Sequence, residues 1–401
     1  MNELVIFARK LYTPQGREAV CGSQMPAVNR YDNVYVIVEN GIIREVTSQE
    51  PKSALMKIET DLLLPGIVDC HTHIPFYGFR ENDFFKRIQG KSYDEIHRSG
   101  GGIYETVQKV RNASLAELVR FNLKWMLHLF SLGVTTIEGK SGYGLSWEHE
   151  SKQIKALKIL SRITPVDIVT TFMGAHAVPP AMGKGSYIKE LVKMLDLIKD
   201  KDSCSFVDIF CESGIFEVTD AEYYLSEAVK KGFKIRLHAE EIKHTGATQL
   251  AVKLGAISAD HLLKIDENDI KALSQSETIA VLMPSTSFYL GEKFAPARDL
   301  IEAGAKVAIA SDFNPGSSAV ADPYFVMHLA ARHLKMSPYE ILTAFTLNAA
   351  AVLGIADTCG TVEPGKNADM ICFEDADLLT LPYMIGIKPV EVIKKGRRFV
   401  N

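Results

Sequence analysis

A chain of 401 residues with 47% hydrophobic and 23% charged residues has an ordinary globular composition and is long enough to bury a large core, which excludes a disordered, fibrous or disulfide-stapled chain. Its formal net charge of −4 argues against a general affinity for nucleic acid or anionic membrane, so an anionic small molecule would have to be met by local cations. Cys21, Cys70, Cys204, Cys211, Cys359 and Cys372 show no Cys-x-x-Cys spacing, and no apolar run of membrane-spanning or signal-peptide length occurs, so the expectation is a cytoplasmic protein with reduced thiols and no membrane span.

In chain order, the first sixty residues read as strands at 4–8, 34–38 and 42–46, the last two joined by Asn40-Gly41, a two-residue hairpin signal. From Leu62 onward, short apolar runs at 67–70, 134–138, 167–172, 206–211, 234–237, 257–259, 279–283 and 307–310 alternate with helical stretches, and their character suits parallel strands buried on both faces. Ser114-x-x-Glu117 predicts a helix ending near Gly133, Thr219-x-x-Glu222 one ending near Gly232, and Asp266 and Pro296 start two more. Eight such units predict a (β/α)₈ TIM barrel, and no Gly-x-Gly-x-x-Gly follows any run to favour an open doubly wound sheet. Two helices are expected after the barrel, the second capped by Ser337, with Pro338 at its first position and Gly354 at its end. The tail returns to strands at 370–373 and 390–393, which are expected to pair with the N-terminal ones. The expected organisation is therefore α/β: a composite β-sandwich from residues 1–61 and 358–401 beside a catalytic barrel over 62–357.

Residues able to bind metal or move protons sit just past the runs: His71 and His73 after the first, Glu138 and Lys140 at the second, His176 past the third, His238 and Glu241 at the fifth, His261 at the sixth and Asp312 at the eighth. In such a barrel the C-terminal strand ends open into one mouth, where residues distant in sequence converge. His71-Thr72-His73 on an extended backbone places both imidazoles on one side. That tripeptide alone fits an ordinary pair of core or surface histidines. Preceded by Pro65-Gly66 and joined by His238 and Asp312, it reads as a metal site. Three imidazoles and one carboxylate suit a divalent ion such as zinc or ferrous iron with a position left for water, which implies hydrolysis rather than redox chemistry.

Glu241, three positions beyond His238, is placed to hand a proton to a leaving nitrogen, and equally to sit as a first-turn helix carboxylate. Asp260-His261 fits a structural pair or, at a barrel mouth, a group orienting water. Arg80 can hold a carboxylate with two parallel hydrogen bonds or lie on the surface. Tyr143, in Ser141-Gly142-Tyr143-Gly144, and the stretch Asn314-Pro315-Gly316-Ser317 read as ligand cradles or as ordinary loops.

Pro65-Gly66, His71-Thr72-His73, His238, His261 and Asp312 together resemble the amidohydrolase superfamily, over nearly the whole chain. More narrowly, Gly78-Phe79-Arg80, Gly100-Gly101-Gly102-Ile103, Glu138-Gly139-Lys140-Ser141-Gly142-Tyr143-Gly144-Leu145, Gly174-Ala175-His176-Ala177-Val178-Pro179-Pro180 and Asp312-Phe313-Asn314-Pro315-Gly316 resemble the imidazolonepropionases within it. The resemblance implies that His71, His73, His238 and Asp312 bind one zinc or iron ion, and that Arg80, Tyr143, His176, Glu241, Asn314, Gly316 and Ser317 line the site for the anionic small molecule imidazolone propionate or its product. It implies a single ion because binuclear relatives place a carbamylated lysine at the fourth strand, where this chain has Phe210-Cys211-Glu212-Ser213.

The implied reaction is hydrolysis of a ring C–N bond of 4-imidazolone-5-propanoate to N-formimino-L-glutamate, with His261 or Asp312 taking the proton of water and Glu241 protonating the departing nitrogen. Barrels of this kind often pair, which leaves a homodimer among the expected states. Two rivals stand beside this reading: an aromatic deaminase of the same superfamily, which would release ammonia, and a catalytically silent binding relative, which would be expected to have lost ligands.

Overall fold

The computed structural model describes residues 2–91, 95, 101–199 and 203–401, so Gly100 of the expected glycine loop lies outside the described residues. Two sheets organise the chain, one of seven strands and one of eight. The seven-stranded sheet contains β1 (Asn2–Thr13), β2 (Asn29–Glu39), β3 (Ile42–Thr47) and β4 (Ala54–Pro65), joined by β13 (Met370–Phe373), β14 (Glu391–Lys394) and β15 (Arg397–Val400) from the other end of the chain. Both turn residues between β2 and β3 have left-handed φ, Asn40 at 52° and Gly41 at 75°, as the hairpin signal requires.

The expected sandwich is this one sheet curled on itself. The segment before β13 bonds to the distant β2–β3 hairpin, Ile43 N–H to Lys366 O (2.9 Å) and Ala368 N–H to Gly41 O (2.9 Å). Leu4, Ile6, Val36, Val38, Ile58, Met370 and Ile393 are buried together inside the curl. β4 has no counterpart in the sequence reading, because its first half is mostly exposed and lacks a clean apolar alternation. Its buried end, Leu62 to Pro65, pairs with β13 and runs across the expected division at 61/62 into the barrel.

The eight-stranded sheet is the expected parallel barrel: β5 (Ile67–Asp69), β6 (Val134–Lys140), β7 (Asp167–Ala175), β8 (Phe206–Cys211), β9 (Lys234–Ala239), β10 (Ser258–His261), β11 (Ile279–Leu282) and β12 (Val307–Ile309), in sequential order. Each follows one of the apolar runs, and β6, β10 and β11 are buried along their full length. The barrel closes between its first and last strands just beyond their ends, through Asp312 N–H to His71 O (3.0 Å), His73 N–H to Phe313 O (3.0 Å) and Ser311 N–H to Asp69 Oδ1 (3.0 Å).

Most helix starts follow their caps: Ser114 with Glu117, Asp266, Pro296 and Ser337 with Glu340 all precede helices. Two expectations need correction. The helix Val218–Lys230 begins before Thr219, because Asp220 accepts from the Glu217 N–H (3.0 Å) and so forms the first turn. The helix expected from Ser337 to Gly354 is two, Pro338–Ala344 and Leu347–Val352. The break lies where the Phe345 carbonyl leaves the helix to accept from Val68 N–H of β5 (3.1 Å).

Candidate metal and active site

β5 is three residues long, and the extended chain beyond it is held by Thr72, whose hydroxyl donates to Glu138 O (2.6 Å), and by the His73 N–H bond to Phe313 O. His71 and His73 therefore project the same way into the mouth. There His73 Nε2 lies 3.3 Å from His238 Nε2 and 3.3 Å from Asp312 Oδ1, and His71 Nε2 lies 3.6 Å from the same carboxylate oxygen. All four side chains are at most 5% exposed. His71 Nε2 and Asp312 Oδ1 have no hydrogen-bond partner, a costly state for buried polar atoms unless a ligand satisfies them.

The far sides of these candidate ligands are anchored. His71 Nδ1 donates to Asp260 Oδ2 (2.6 Å), His238 Nδ1 donates to Asp208 Oδ1 (3.1 Å), and Thr286 Oγ1 donates to Asp312 Oδ2 (2.6 Å). With Nδ1 carrying the proton, Nε2 of His71 and His238 presents a lone pair toward the centre. Buried imidazole nitrogens facing a carboxylate, without thiolate among the described residues, fit a divalent cation.

His261 ends β10 with φ at 81°, a strained value for a residue with a side chain, and Asp312 has φ at 52°. The His261 ring stands 5.0 Å from that of His238, and both of its nitrogens are buried without a partner. Burial pushes the imidazole down to about 3, so it is neutral. Glu241 Oε2 lies 3.5 Å from His261 Nε2. Burial, then the nearby charges of Asp312 and Glu212, raise its carboxyl well above the usual range. For Asp312 burial acts upward, but the nearby imidazoles of His73 and His261 and the hydrogen bond from Thr286 hold the carboxyl below its ordinary value.

The expected substrate residues fall into two groups. His176, half-buried, stacks on His73 (4.9 Å between centroids) and packs against Tyr143 (5.1 Å), which is buried at the mouth. Arg80 donates to Thr106 Oγ1 (3.2 Å), and its buried Nε lies 3.5 Å from Asp83 Oδ2. Gly316 lies against that guanidinium, and a Cβ there would meet Arg80 Nη2 at 1.3 Å. Asn314 uses its side chain within its own turn: Oδ1 accepts from the Gly316 and Ser317 N–H groups (both 2.8 Å) and Nδ2 donates to Ser317 Oγ (2.8 Å). This stretch shapes the wall around Arg80.

Sequence reasoning missed Asp208 on β8, Arg236 on β9 and Thr286 in the helix Pro284–Leu290, which support the candidate ligands. Strand alternation could have found two of them: Arg236 shares its face of β9 with His238, and Asp208 shares its face of β8 with Phe210.

Residues 62–398 match the Amidohydrolase family model. Curated relatives named imidazolonepropionase include that of Kosmotoga olearia, 44% identical over 97% of this chain and 96% of the relative, and that of Fusobacterium nucleatum subsp. nucleatum, 42% identical over 92% of each. That of Caldanaerobacter subterraneus subsp. tengcongensis is 39% identical over 98% of this chain and 96% of the relative. Among solved structures, a triazine hydrolase variant superposes with a TM-score of 0.78 at 14% identity, covering 99% of this chain and 94% of that one. An adenosine deaminase from Xanthomonas campestris with bound zinc gives 0.73 at 18% identity, covering 100% and 93%, and at such identities these two likenesses speak for the fold alone. A family match across barrel and tail, joined to relatives of this identity over nearly full length, means that the chain belongs to the amidohydrolase family.

Proposed function

We propose that this protein is an imidazolonepropionase, hydrolysing a ring C–N bond of 4-imidazolone-5-propanoate to N-formimino-L-glutamate in histidine degradation. The observation that carries the reading is the 44% identity to a curated enzyme of that name over nearly the whole of both chains. The convergence of His71, His73, His238 and Asp312 on one buried centre supports it from the structure.

These four residues would hold one divalent ion, zinc or iron, which when bound supplies Lewis acidity and a water that ionises near neutral pH. The chain's own groups do the rest. His261, neutral and with neither ring nitrogen hydrogen-bonded, orients the attacking water, and either it or ionised Asp312 takes the proton. Glu241, whose raised carboxyl keeps a proton available, gives it to the departing ring nitrogen. Arg80, held in place by Asp83 and Thr106, anchors the propionate, while Tyr143 and His176 wall the ring and Asn314, Gly316 and Ser317 shape the side next to the guanidinium.

The test is to incubate the metal-loaded protein with freshly generated imidazolone propionate, following loss of its ultraviolet absorbance together with formiminoglutamate and ammonia. Formiminoglutamate without ammonia establishes the ring-opening hydrolase. Ammonia release from a heteroaromatic substrate instead assigns the chain to the deaminases, and bound metal without turnover on this substrate removes the proposal.

A further inference from the structure

Inside the barrel, next to the four candidate ligands, lie five fully buried charged groups: the carboxylates of Glu138 on β6, Asp208 on β8 and Asp260 on β10, and the cations Lys140 on β6 and Arg236 on β9. Arg236 is spread over several partners, donating to Glu138, to Asp260 Oδ2 (2.8 Å), to Cys70 O (2.9 Å) and to Ser258 Oγ (2.9 Å). Lys140 is a point charge held by two carboxylates, with Nζ 2.7 Å from Asp208 Oδ2 and 2.8 Å from Glu138 Oε2. An ammonium so enclosed sits where a small cation would sit. Asp208, His238 and Asp260 themselves bring three donor atoms within 4.8 Å of one another, a second metal-like cluster beside the first.

Isolated, each of these charges would be costly to bury, so the arrangement persists only as a set. By formal charge the set is one negative in excess, and that excess faces the Nδ1 atoms of His71 and His238 through Asp260 and Asp208. An added divalent ion would overcompensate it while Lys140 is in place.

We propose that Lys140 is a positioning residue of the metal centre: its ammonium occupies the place of a second metal ion, keeping the site mononuclear, and holds Asp208 against His238. A lysine suits this place because its ammonium is a compact point charge, the closest side-chain mimic of a small cation. The inference rests on the reading that His71, His73, His238 and Asp312 hold one ion.

The experiment is a zinc titration of the full-length protein with elemental analysis after gel filtration, and a measurement of zinc loss to a chelator, on the unsubstituted chain, on Lys140→Met and on Lys140→Met/Glu138→Gln. One equivalent is expected for the unsubstituted chain. Lys140→Met should take up two, and should lose the first about 10–100-fold faster because Asp208 no longer fixes His238 firmly. The double variant, which deletes a negative charge with the positive one, should return to one equivalent and still release it fast. One equivalent with unchanged release in Lys140→Met overturns the proposal. If that variant does not fold, unchanged release from the double variant does so. No zinc on the unsubstituted chain refutes the four-ligand reading itself, and the inference falls with it.

Discussion

At the scale of single residues, a side chain's neighbours decide which of two readings of the sequence holds. Glu241 was legible as a proton donor or as a helix-start carboxylate, and its 3.5 Å approach to His261 together with its raised carboxyl favours the donor. Glu241→Gln is therefore expected to leave metal content intact and lower kcat by about 10²–10⁴-fold. Because a donor must be protonated, kcat in the unsubstituted enzyme should fall as pH rises through the raised Glu241 pKa, and near-normal turnover of the variant would remove Glu241 from the mechanism. Gly316 was read from the resemblance as a substrate contact, and the space around it gives a more specific reason for glycine: any Cβ would strike the Arg80 guanidinium. Gly316→Ala should displace Arg80 and raise KM by about 10–100-fold, the worth of a charge-assisted hydrogen bond of about 1.5–3 kcal/mol, with little change in kcat. An unchanged KM would separate Arg80 from the propionate. For Arg236 and Asp208 only the face was legible, through strand alternation; a lone charge in an apolar run carries no sign of its partner, which arrives from another strand.

At the scale of elements, strands were legible where both faces are buried and caps where the acceptor is local. The eight barrel runs and the Ser114–Glu117 box are of that kind. What escaped depended on distant partners: the half-exposed β4 is stabilised by β1 and β13, and the helix after Ser337 breaks because Phe345 bonds to β5. The Asn40-Gly41 hairpin combines both cases. Its turn type is local, but Gly41 also lies against the Lys395 carbonyl, which a Cβ would meet at 2.7 Å. Gly41→Ala should thus be destabilised beyond the usual cost of a left-handed residue, about 1–3 kcal/mol, as read by the midpoint of urea unfolding. Stability equal to the unsubstituted protein would mean that the sheet does not close at this contact.

For the whole molecule, the candidate ligands come from three separated places in the chain, and two of those places flank the seam of the barrel. His71 and His73 follow β5, Asp312 follows β12, and the seam is held by the hydrogen bonds between residues 69–73 and 311–313. An ion bound there joins first strand to last and, through His238, to the middle of the barrel, so binding favours the closed fold over the unfolded chain by mass action. Chelation should lower Tm, by an amount set by about 4 kcal/mol if free metal had been at 1,000 times Kd, and should make Tm rise again with added zinc. Hydrogen exchange places the effect: the amides of His73 and Asp312, which carry the seam, should lose protection on chelation before those of β1 and β2, which lie in the other sheet. Equal loss in both sheets would mean that the ion stabilises the chain without acting at the seam, and an unchanged Tm would place the bound metal somewhere other than among these four residues.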